Sequence, residues 1–433
     1  MGSPPSEPSD QGARGERGPW RAGLTRRAVL AGAAALGVGA GLDRALRPGS
    51  SVRASRPEAV PFYGVRQAGI ATPQQRELFF AAFDLQTSSR PALRRLLERW
   101  TEAAAALSAG RPWRGPVGPG AGDPGEALGL PPSRLTLTFG VGPTLFERDG
   151  RDRFGLAHLR PPTLEPLPPF AGEALDPLRS GGDLCVQACA DDPQVVFHAV
   201  HVLARLAGGD ASIRWAQRGF WHSVPPGGPT PRNLLGFKDG TANIRADDRE
   251  AMERFVWVQP SDRPAWMRHG TYLVARRIEL MLESWDALPL AAQERAIGRY
   301  KASGAPLGGR HEHDAPDLGA TDPEGAPLIP LDAHIRVAAP GRQDEQRILR
   351  RSYSYSAGNR GGPAERGGRA LDAGLFFIAF VRDPARQFVP LQRRLATADA
   401  LSAFTLHTAS AVFACLPGVP PGGFLGQQLL AGA

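Results

Sequence analysis

The pattern of hydrophobic and polar positions in the first half of the chain predicts strands and helices in the order βαββαβ. Strands are predicted at residues 79–85, 135–139, 183–190 and 213–221, the second of them half-buried because leucine alternates with threonine. Leucines at helical spacing predict a helix after Ser88 or Ser89, either of which can cap it, ending at Gly110. A second helix is predicted from Pro193 to Leu206. This order is typical of a ferredoxin-like unit, whose antiparallel sheet carries helices on one face.

The second half of the chain repeats this order without a visible residue-level repeat. Strands are predicted at residues 272–282, 347–355, 375–381 and 408–415, and helices at 284–302 and 384–395. A Gly/Pro- and charge-rich excursion at about residues 304–339 interrupts this half, and such long loops are usually functional or disordered. We therefore predict an α+β fold of two ferredoxin-like domains with antiparallel sheets, at residues 56–224 and 225–433.

Residues 1–55 have the features of an export signal. The pair Arg26-Arg27 precedes a short Ala- and Gly-rich apolar run that ends at Leu42, as in Tat signals. The run is shorter than the roughly 18 apolar residues of a membrane span. A disordered basic tail is the alternative. The signal predicts a protein exported in the folded state to the periplasm or the extracellular space.

Composition narrows the class of protein. The 433 residues, 42% hydrophobic and 22% charged, suffice for two globular domains. The net charge of +8 is scattered, with no basic stripe interleaved with aromatics, so no nucleic-acid partner is expected. Three cysteines make no disulfide framework in a chain of this length. The absence of CxxC and CxxCH argues against a zinc ribbon and covalently attached c-type haem.

The first candidate for chemistry is an acid between glycines in an apolar setting. Asp239 lies between Gly236 and Gly240 in the run from Leu235 to Asn243. Glycine lets the backbone bend sharply and approach a bound group closely, so Asp239 can be held over a cofactor face. The alternative is a plain turn, because Asp-Gly is a common turn dipeptide.

Two further segments carry a histidine and a cation. His334 lies among apolar residues, and a neutral imidazole in such surroundings is what haem iron needs on its proximal side. A satisfied core histidine is the alternative. Arg350 and Arg351 fall on opposite faces of a predicted strand, so one can point into a pocket while the other is solvated.

These motifs together resemble the dye-decolorizing peroxidase family. They are Gly-Phe-Lys-Asp-Gly-Thr at 236–241, Ala-His-Ile-Arg at 333–336 and Leu-Arg-Arg-Ser-Tyr-Ser-Tyr at 349–355. The stretch at residues 62–75 is similar to the exported deferrochelatase/peroxidase branch of that family. The resemblance covers about residues 61–418. It implies two packed ferredoxin-like units, with a pocket for haem b (iron protoporphyrin IX) in the C-terminal domain.

The resemblance also implies roles for individual residues. Asp239 matches the distal acid, with Gly240 beside it at the cofactor, and Arg350 matches the distal arginine. His334 matches the proximal iron ligand, and Asp399 is the nearest match to the carboxylate that holds its imidazole, where relatives can carry a glutamate. Ser352 stands where many relatives have glycine.

The implied activity is reduction of hydrogen peroxide with electrons from dyes, phenolics or another aromatic donor. Asp239 would move a proton between the two peroxide oxygens, and Arg350 would supply a fixed positive charge. An aspartate base works at pH values where a histidine would be protonated, so we predict an acidic optimum.

Two other functions remain open. A haem-handling protein of an iron-uptake system would release iron from haem as a deferrochelatase. A metal-dependent hydrolase would use the loop residues His311, Glu312 and His313, although a solvated loop is the simpler interpretation. His198 and His201, one helical turn apart, are expected to be helix-surface or core residues rather than ligands. The resemblance also leaves a homodimer open.

Overall fold

The computed structural model describes residues 58–114, 122–222, 224, 228–339, 345–358 and 371–431, so the predicted export signal lies outside it. Its strands are β1 Glu77–Leu85, β2 Thr136–Val141, β3 Leu184–Ala190, β4 Ala211–Phe220, β5 Thr271–Leu280, β6 Leu349–Arg350, β7 Tyr353–Ser356, β8 Ala373–Val381 and β9 Thr405–Cys415. Its α-helices are α1 Arg90–Ser108, α2 Pro143–Phe146, α3 Pro193–Ala207, α4 Arg249–Phe255, α5 Leu282–Asp286, α6 Leu290–Ile297, α7 His334–Val337, α8 Phe388–Ala398 and α9 Gln427–Ala431. Within these described ranges, no helix combines the length and apolarity needed to cross a bilayer.

Each half forms the ferredoxin-like sheet that its element order predicts. In the first half the antiparallel order is β4-β1-β3-β2. In the second half β9 and β8 flank β5, and β7 and β6 both pair with β8, which gives the equivalent order. The predicted α+β fold is confirmed in both halves.

The two sheets join edge to edge and close into a ring of strands. β2 meets β9 through the pairs Gly140↔Cys415 and Val141↔Ala414. β4 meets β7 through the single pair Phe220↔Ser354. The inner faces of the two sheets therefore pack on each other, with Phe80, Phe376 and Phe413 among the buried residues between them. The ring of Phe80 stacks on that of Trp215 at a centroid distance of 5.2 Å.

This closure corrects one prediction about burial. The strand expected to be half-buried, β2, is buried at every position. Phe139 packs with the helix-side core, which includes Trp100 of α1, at a ring-centroid distance of 5.8 Å. Gly140 faces Cys185 and Phe413 of the interior between the sheets. The threonine face of β2 is therefore buried as well as the leucine face. Its hydroxyls tolerate burial because Thr136 accepts a hydrogen bond from Gln75 and Thr138 donates one to the carbonyl of Ala68.

Two predicted elements are interrupted, and one predicted helix begins later than expected. The helix expected at 284–302 is two short helices separated at Pro289, and the second ends at Gly298, whose φ of 89° is left-handed. The strand expected at 347–355 is interrupted between β6 and β7. The helix expected at 384–395 begins only at Phe388.

Candidate active site

A cavity of about 790 Å³ lies in the second half of the chain. Strands β5, β8 and β9, the segment 233–244 and helices α7 and α8 supply most of its wall, while Ala171 and Gly172 come from the first half. The residues singled out from the sequence all line it, namely Asp239, Gly240, His334, Arg350 and Asp399. The volume falls within the range of cofactor and substrate sites.

The acid is carried by a loop that its glycines and an aromatic anchor hold in place. Gly236 and Gly240 have φ values of 83° and 128°, which only glycine adopts without strain. The backbone N–H of Asp239 donates to the carbonyl of Pro231 at 2.8 Å. Phe237 is buried with its ring 5.9 Å from that of Trp285. The side chain of Asp239 is 14% exposed and lies on the cavity wall.

Arg350 reaches this acid from strand β6. Its Nη1 donates to Asp239 Oδ1 at 2.8 Å. Its backbone N–H donates to Asn243 Oδ1 at 2.9 Å, and its carbonyl accepts from Asn243 Nδ2 at 2.8 Å. Asn243 was not singled out from the sequence, because asparagine after a turn predicts nothing about its partner.

Arg351 lies on the opposite face of the strand, as the alternation predicts. The expectation that the second arginine is solvated is wrong, because Arg351 is 4% exposed. Its guanidinium donates to the carbonyl of Thr72 and to Gln75 Oε1. Arg351 is buried because β6 and β7 belong to the closed ring of strands, in which both faces of the sheet are covered.

His334 begins helix α7 and is held by a carboxylate. Its Nδ1 donates to Asp399 Oδ2 at 2.6 Å, and the Asp399 side chain is 6% exposed. Asp399 Oδ1 accepts from the backbone N–H of Leu401 at 2.9 Å and so caps the short 3-10 helix Ala400–Phe404. With Nδ1 occupied, Nε2 is the nitrogen that remains to bind a metal.

This donor set fits haem. One imidazole has a free Nε2 and a carboxylate behind it, and an acid and a guanidinium line the same cavity. The remaining wall is largely apolar, and includes Ile278, Leu280, Ile297, Leu375, Phe377 and Leu391. Such a wall suits a porphyrin ring.

A second histidine in the cavity was missed from the sequence. Burial, together with the positive charge of Arg276, lowers the pKa of His407 to about 3. His407 lies inside β9, one position before the strand that the sequence predicts from residue 408. Arg276 forms an ion pair with Glu173 of the first half.

The loop histidines do not converge on a metal site. Glu312 pairs with Lys238 and accepts from Thr241 Oγ1 at 3.0 Å, which ties the loop to the segment that carries Asp239. Asp314 accepts from backbone N–H groups of its own loop, and the His313 side chain is 74% exposed. The geometry gives the hydrolase hypothesis no support.

His198 and His201 both contact the carboxylate of Glu126. His198 Nδ1 lies 2.7 Å from Glu126 Oε2, and its Nε2 lies 3.3 Å from Asp123 Oδ2. His201 Nδ1 contacts the other oxygen of Glu126. Ligand atoms of Asp123, Glu126 and His198 lie within 4.8 Å of one another, and each nitrogen of the His198 ring faces one of the two carboxylates.

Comparison with known proteins matches both halves of the chain to one family. The model described as Dyp-type peroxidase, N-terminal, matches residues 67–221, and the model described as Dyp-type peroxidase, C-terminal, matches residues 230–420. The chain belongs to the Dyp-type peroxidase family. It is therefore a haem peroxidase, an oxidoreductase that reduces peroxide with electrons from a reducing substrate.

Relatives cover nearly the whole chain. A Dye-decolorizing peroxidase of Thermobifida fusca is 39% identical over 95% of this chain and 98% of its own length. A Deferrochelatase of Shigella flexneri is 38% identical over 94% of this chain and 97% of its own length. The crystal structure of a DyP-type peroxidase from Cellulomonas bogoriensis, 43% identical, superposes with a TM-score of 0.78 and covers 87% of this chain and 99% of that one.

Proposed function

We propose that this Dyp-type peroxidase binds haem b through His334 and activates hydrogen peroxide with Asp239 and Arg350. The observation that carries the proposal is that these three side chains line one cavity, although Asp239 lies about a hundred residues before the other two in the chain. Dyes, phenolics or similar aromatic compounds are the proposed electron donors.

The chain's own residues would handle the protons and charges of the reaction. Haem, when bound, supplies the redox centre that accepts the oxidising power of peroxide and takes electrons from the donor. Asp239 removes the proton from one peroxide oxygen and returns it to the other as the O–O bond breaks. Arg350, which keeps its proton, stabilises the negative charge that develops on the departing oxygen. The Asp239–Arg350 hydrogen bond fixes the positions of the carboxylate and the guanidinium relative to each other.

His334 would bind the haem iron, and Asp399 would hold the His334 imidazole in place. The carboxylate fixes the tautomer and orientation of the imidazole and makes it a stronger electron donor to a bound metal. The apolar wall around them excludes water from the reacting atoms.

Replacing Asp239 tests the proposal. Asp239→Asn keeps the shape of the side chain but removes the proton acceptor, so we expect the second-order rate with hydrogen peroxide to fall about 10²- to 10⁴-fold. Stopped-flow absorbance across a pH series measures it, and the wild-type rate should stay high at acidic pH. Haem content is the control and should not change. An unaltered rate would reassign the base, and a wild-type optimum above neutral pH would contradict a carboxylate base.

A second candidate activity is iron release from haem, within an iron-uptake system. The similarity to a protein named Deferrochelatase favours it. Incubation with haem in the absence of peroxide should then yield free protoporphyrin and released iron in equal amounts. Intact haem after prolonged incubation would exclude iron release and leave peroxide reduction as the proposed function.

We also propose Tat-dependent export to the periplasm or beyond the cell. The support is the Arg26-Arg27 pair before a short apolar run, and it rests on the sequence alone because these residues lie outside the described part of the chain. Replacing both arginines by lysine should retain the precursor in the cytoplasm. Continued export of that variant would exclude the Tat route.

A further inference from the structure

Asn243 brackets the backbone of Arg350. Its Oδ1 accepts from the Arg350 N–H at 2.9 Å and its Nδ2 donates to the Arg350 carbonyl at 2.8 Å. An amide side chain that uses both groups in this way takes the place of one residue of a neighbouring strand.

The position of Arg350 in the sheet explains why such a substitute is needed. β6 and β7 follow the same edge of β8 in one register, Arg350↔Ala379 and then Tyr353↔Phe376. The N–H of Arg351 donates to the carbonyl of Ile378 at 2.8 Å, so residue 351 points its backbone groups toward β8. Since these groups alternate along a strand, residues 350, 352 and 354 point away from β8.

Three different partners meet these outward positions. Phe220 of β4 pairs with Ser354, but β4 ends at that residue. Gln74 Nε2 donates to the carbonyl of Ser352 at 2.7 Å. Asn243 then covers Arg350. Beyond the end of β4, the side chains of Gln74 and Asn243 therefore pair with backbone groups that no strand reaches on this edge.

We propose that Asn243 is the positioning residue for Arg350 in peroxide activation. Asp239 and Asn243 lie on one loop, closed by the Asn243 N–H to Gly240 carbonyl bond at 2.9 Å. This loop hydrogen-bonds Arg350 at two places: Asp239 accepts from the guanidinium, and Asn243 accepts from the backbone N–H. The spacing of acid and guanidinium is therefore set by one short segment. This inference rests on the roles proposed above for Asp239 and Arg350.

Losing the backbone contact should therefore affect chemistry more than stability. Without Asn243 the β6 backbone can shift while the fold persists through β8, and displacement of a catalytic group by about 1 Å can cost about 100-fold in rate. Gln74 offers a matched control. It makes the same kind of contact on the same edge, two residues along, but it does not line the cavity.

The experiment compares Asn243→Ala, Asn243→Asp and Gln74→Ala in the haem-loaded protein. Asn243→Asp keeps the acceptor for the Arg350 N–H, but it replaces the donor to the Arg350 carbonyl by a charged acceptor that repels this carbonyl. We measure thermal midpoint, the second-order rate with hydrogen peroxide, cyanide affinity of the ferric protein, and hydrogen exchange of peptides spanning residues 345–355. Cyanide affinity would report Arg350 independently of turnover, because the proposed role of its guanidinium is to stabilise an anion in this cavity.

All three variants should lose a few degrees of thermal stability. Both Asn243 variants should lower the peroxide rate and cyanide affinity, Asn243→Ala by at least about ten-fold, and should exchange faster at 345–355, whereas Gln74→Ala should keep the wild-type rate and affinity. Wild-type rate and affinity in Asn243→Ala would overturn the inference and leave the proposed function intact. An equal loss in Gln74→Ala would also overturn it, since the contact would then be structural only. A wild-type protein that fails to react with peroxide would instead refute the proposed function.

Discussion

At the scale of single residues, hydrogen bonding decides which of two cavity histidines suits the iron. His334 has its Nδ1 held by Asp399 at 2.6 Å, which orients the ring and leaves Nε2 free. His407 lies beside the positive charge of Arg276, which together with burial lowers the pKa of its imidazole. Among the residues that the structure describes, no carboxylate is hydrogen-bonded to the His407 ring. The better ligand is therefore His334.

Asp399 allows the carboxylate to be tested apart from its capping role. Asp399→Asn keeps the Oδ1 acceptor for the Leu401 N–H but removes the charge facing His334, whereas Asp399→Ala removes both. We expect Asp399→Asn to lower peroxidase activity about 10- to 100-fold and to raise the haem reduction potential. Spectroelectrochemical titration and steady-state kinetics measure these changes. An unchanged potential in Asp399→Asn would show that the contact orients the ring without altering its basicity.

At the scale of elements, the excursion at 304–339 supports the loop that carries Asp239. Arg299 Nη1 donates to the carbonyls of Gly304 and Glu312, which anchors the start of the excursion. Glu312 in turn pairs with Lys238, the residue before Asp239. The sequence shows this segment only as long and polar. Its first part holds the Asp239 loop in place through Glu312, and its last part contains His334.

The Glu312–Lys238 pair predicts a pH-dependent stability. Burial raises the pKa of Glu312, but hydrogen bonds from Lys238, Thr230 and Thr241 outweigh it and lower the pKa below the ordinary value of 4.5. Because the pKa is lowered in the folded state, the pair stabilises the protein above about pH 4.5, and this is lost as pH falls through the folded-state value. Glu312→Gln should reduce the free energy of unfolding by about 1–3 kcal/mol at pH 7.

Denaturant unfolding of Glu312→Gln at pH 7 and at progressively lower pH measures this effect. The difference from wild type should shrink in acid. Glu324→Gln, the same change at an exposed position of the same excursion, is the control and should be nearly neutral at every pH. A difference that grew on acidification would contradict the assigned direction of the Glu312 pKa.

At the scale of the whole molecule, two glycines sit where the halves of the ring meet. Gly140 of β2 pairs with Cys415 of β9 at one seam, and Gly219 precedes the Phe220↔Ser354 pair at the other. A Cβ at Gly140 would lie 2.9 Å from the Phe413 Cβ, and one at Gly219 would lie 2.7 Å from the Tyr353 Cβ. Both contacts are closer than packed side chains tolerate.

Substituting these glycines should loosen the joint between the sheets. Gly140→Ala and Gly219→Ala should each cost about 1–3 kcal/mol of unfolding free energy through overpacking. Gly209→Ala is the matched control, since a Cβ there meets nothing within 4 Å. Chemical denaturation measures all three. Stability losses as large in Gly209→Ala would assign the effect to glycine flexibility rather than to the seams.

The sequence by itself determined the repeated βαββαβ order, the loop that presents Asp239 and the opposite facing of Arg350 and Arg351. Those features follow from periodicity and turn chemistry, which act over a few residues. The recognised motifs also pointed to the haem peroxidase family, which the comparisons confirm.

Only the tertiary structure decided the closure of the two sheets and the partners of the site residues. Closure buried β2 and Arg351 on faces that alternation alone leaves exposed. Within the second half, the tertiary fold also brought Asp399 to His334 across 65 residues, and Asn243 to Arg350 across 107. Such contacts depend on where distant segments cross in space, and no local pattern in either partner encodes the other.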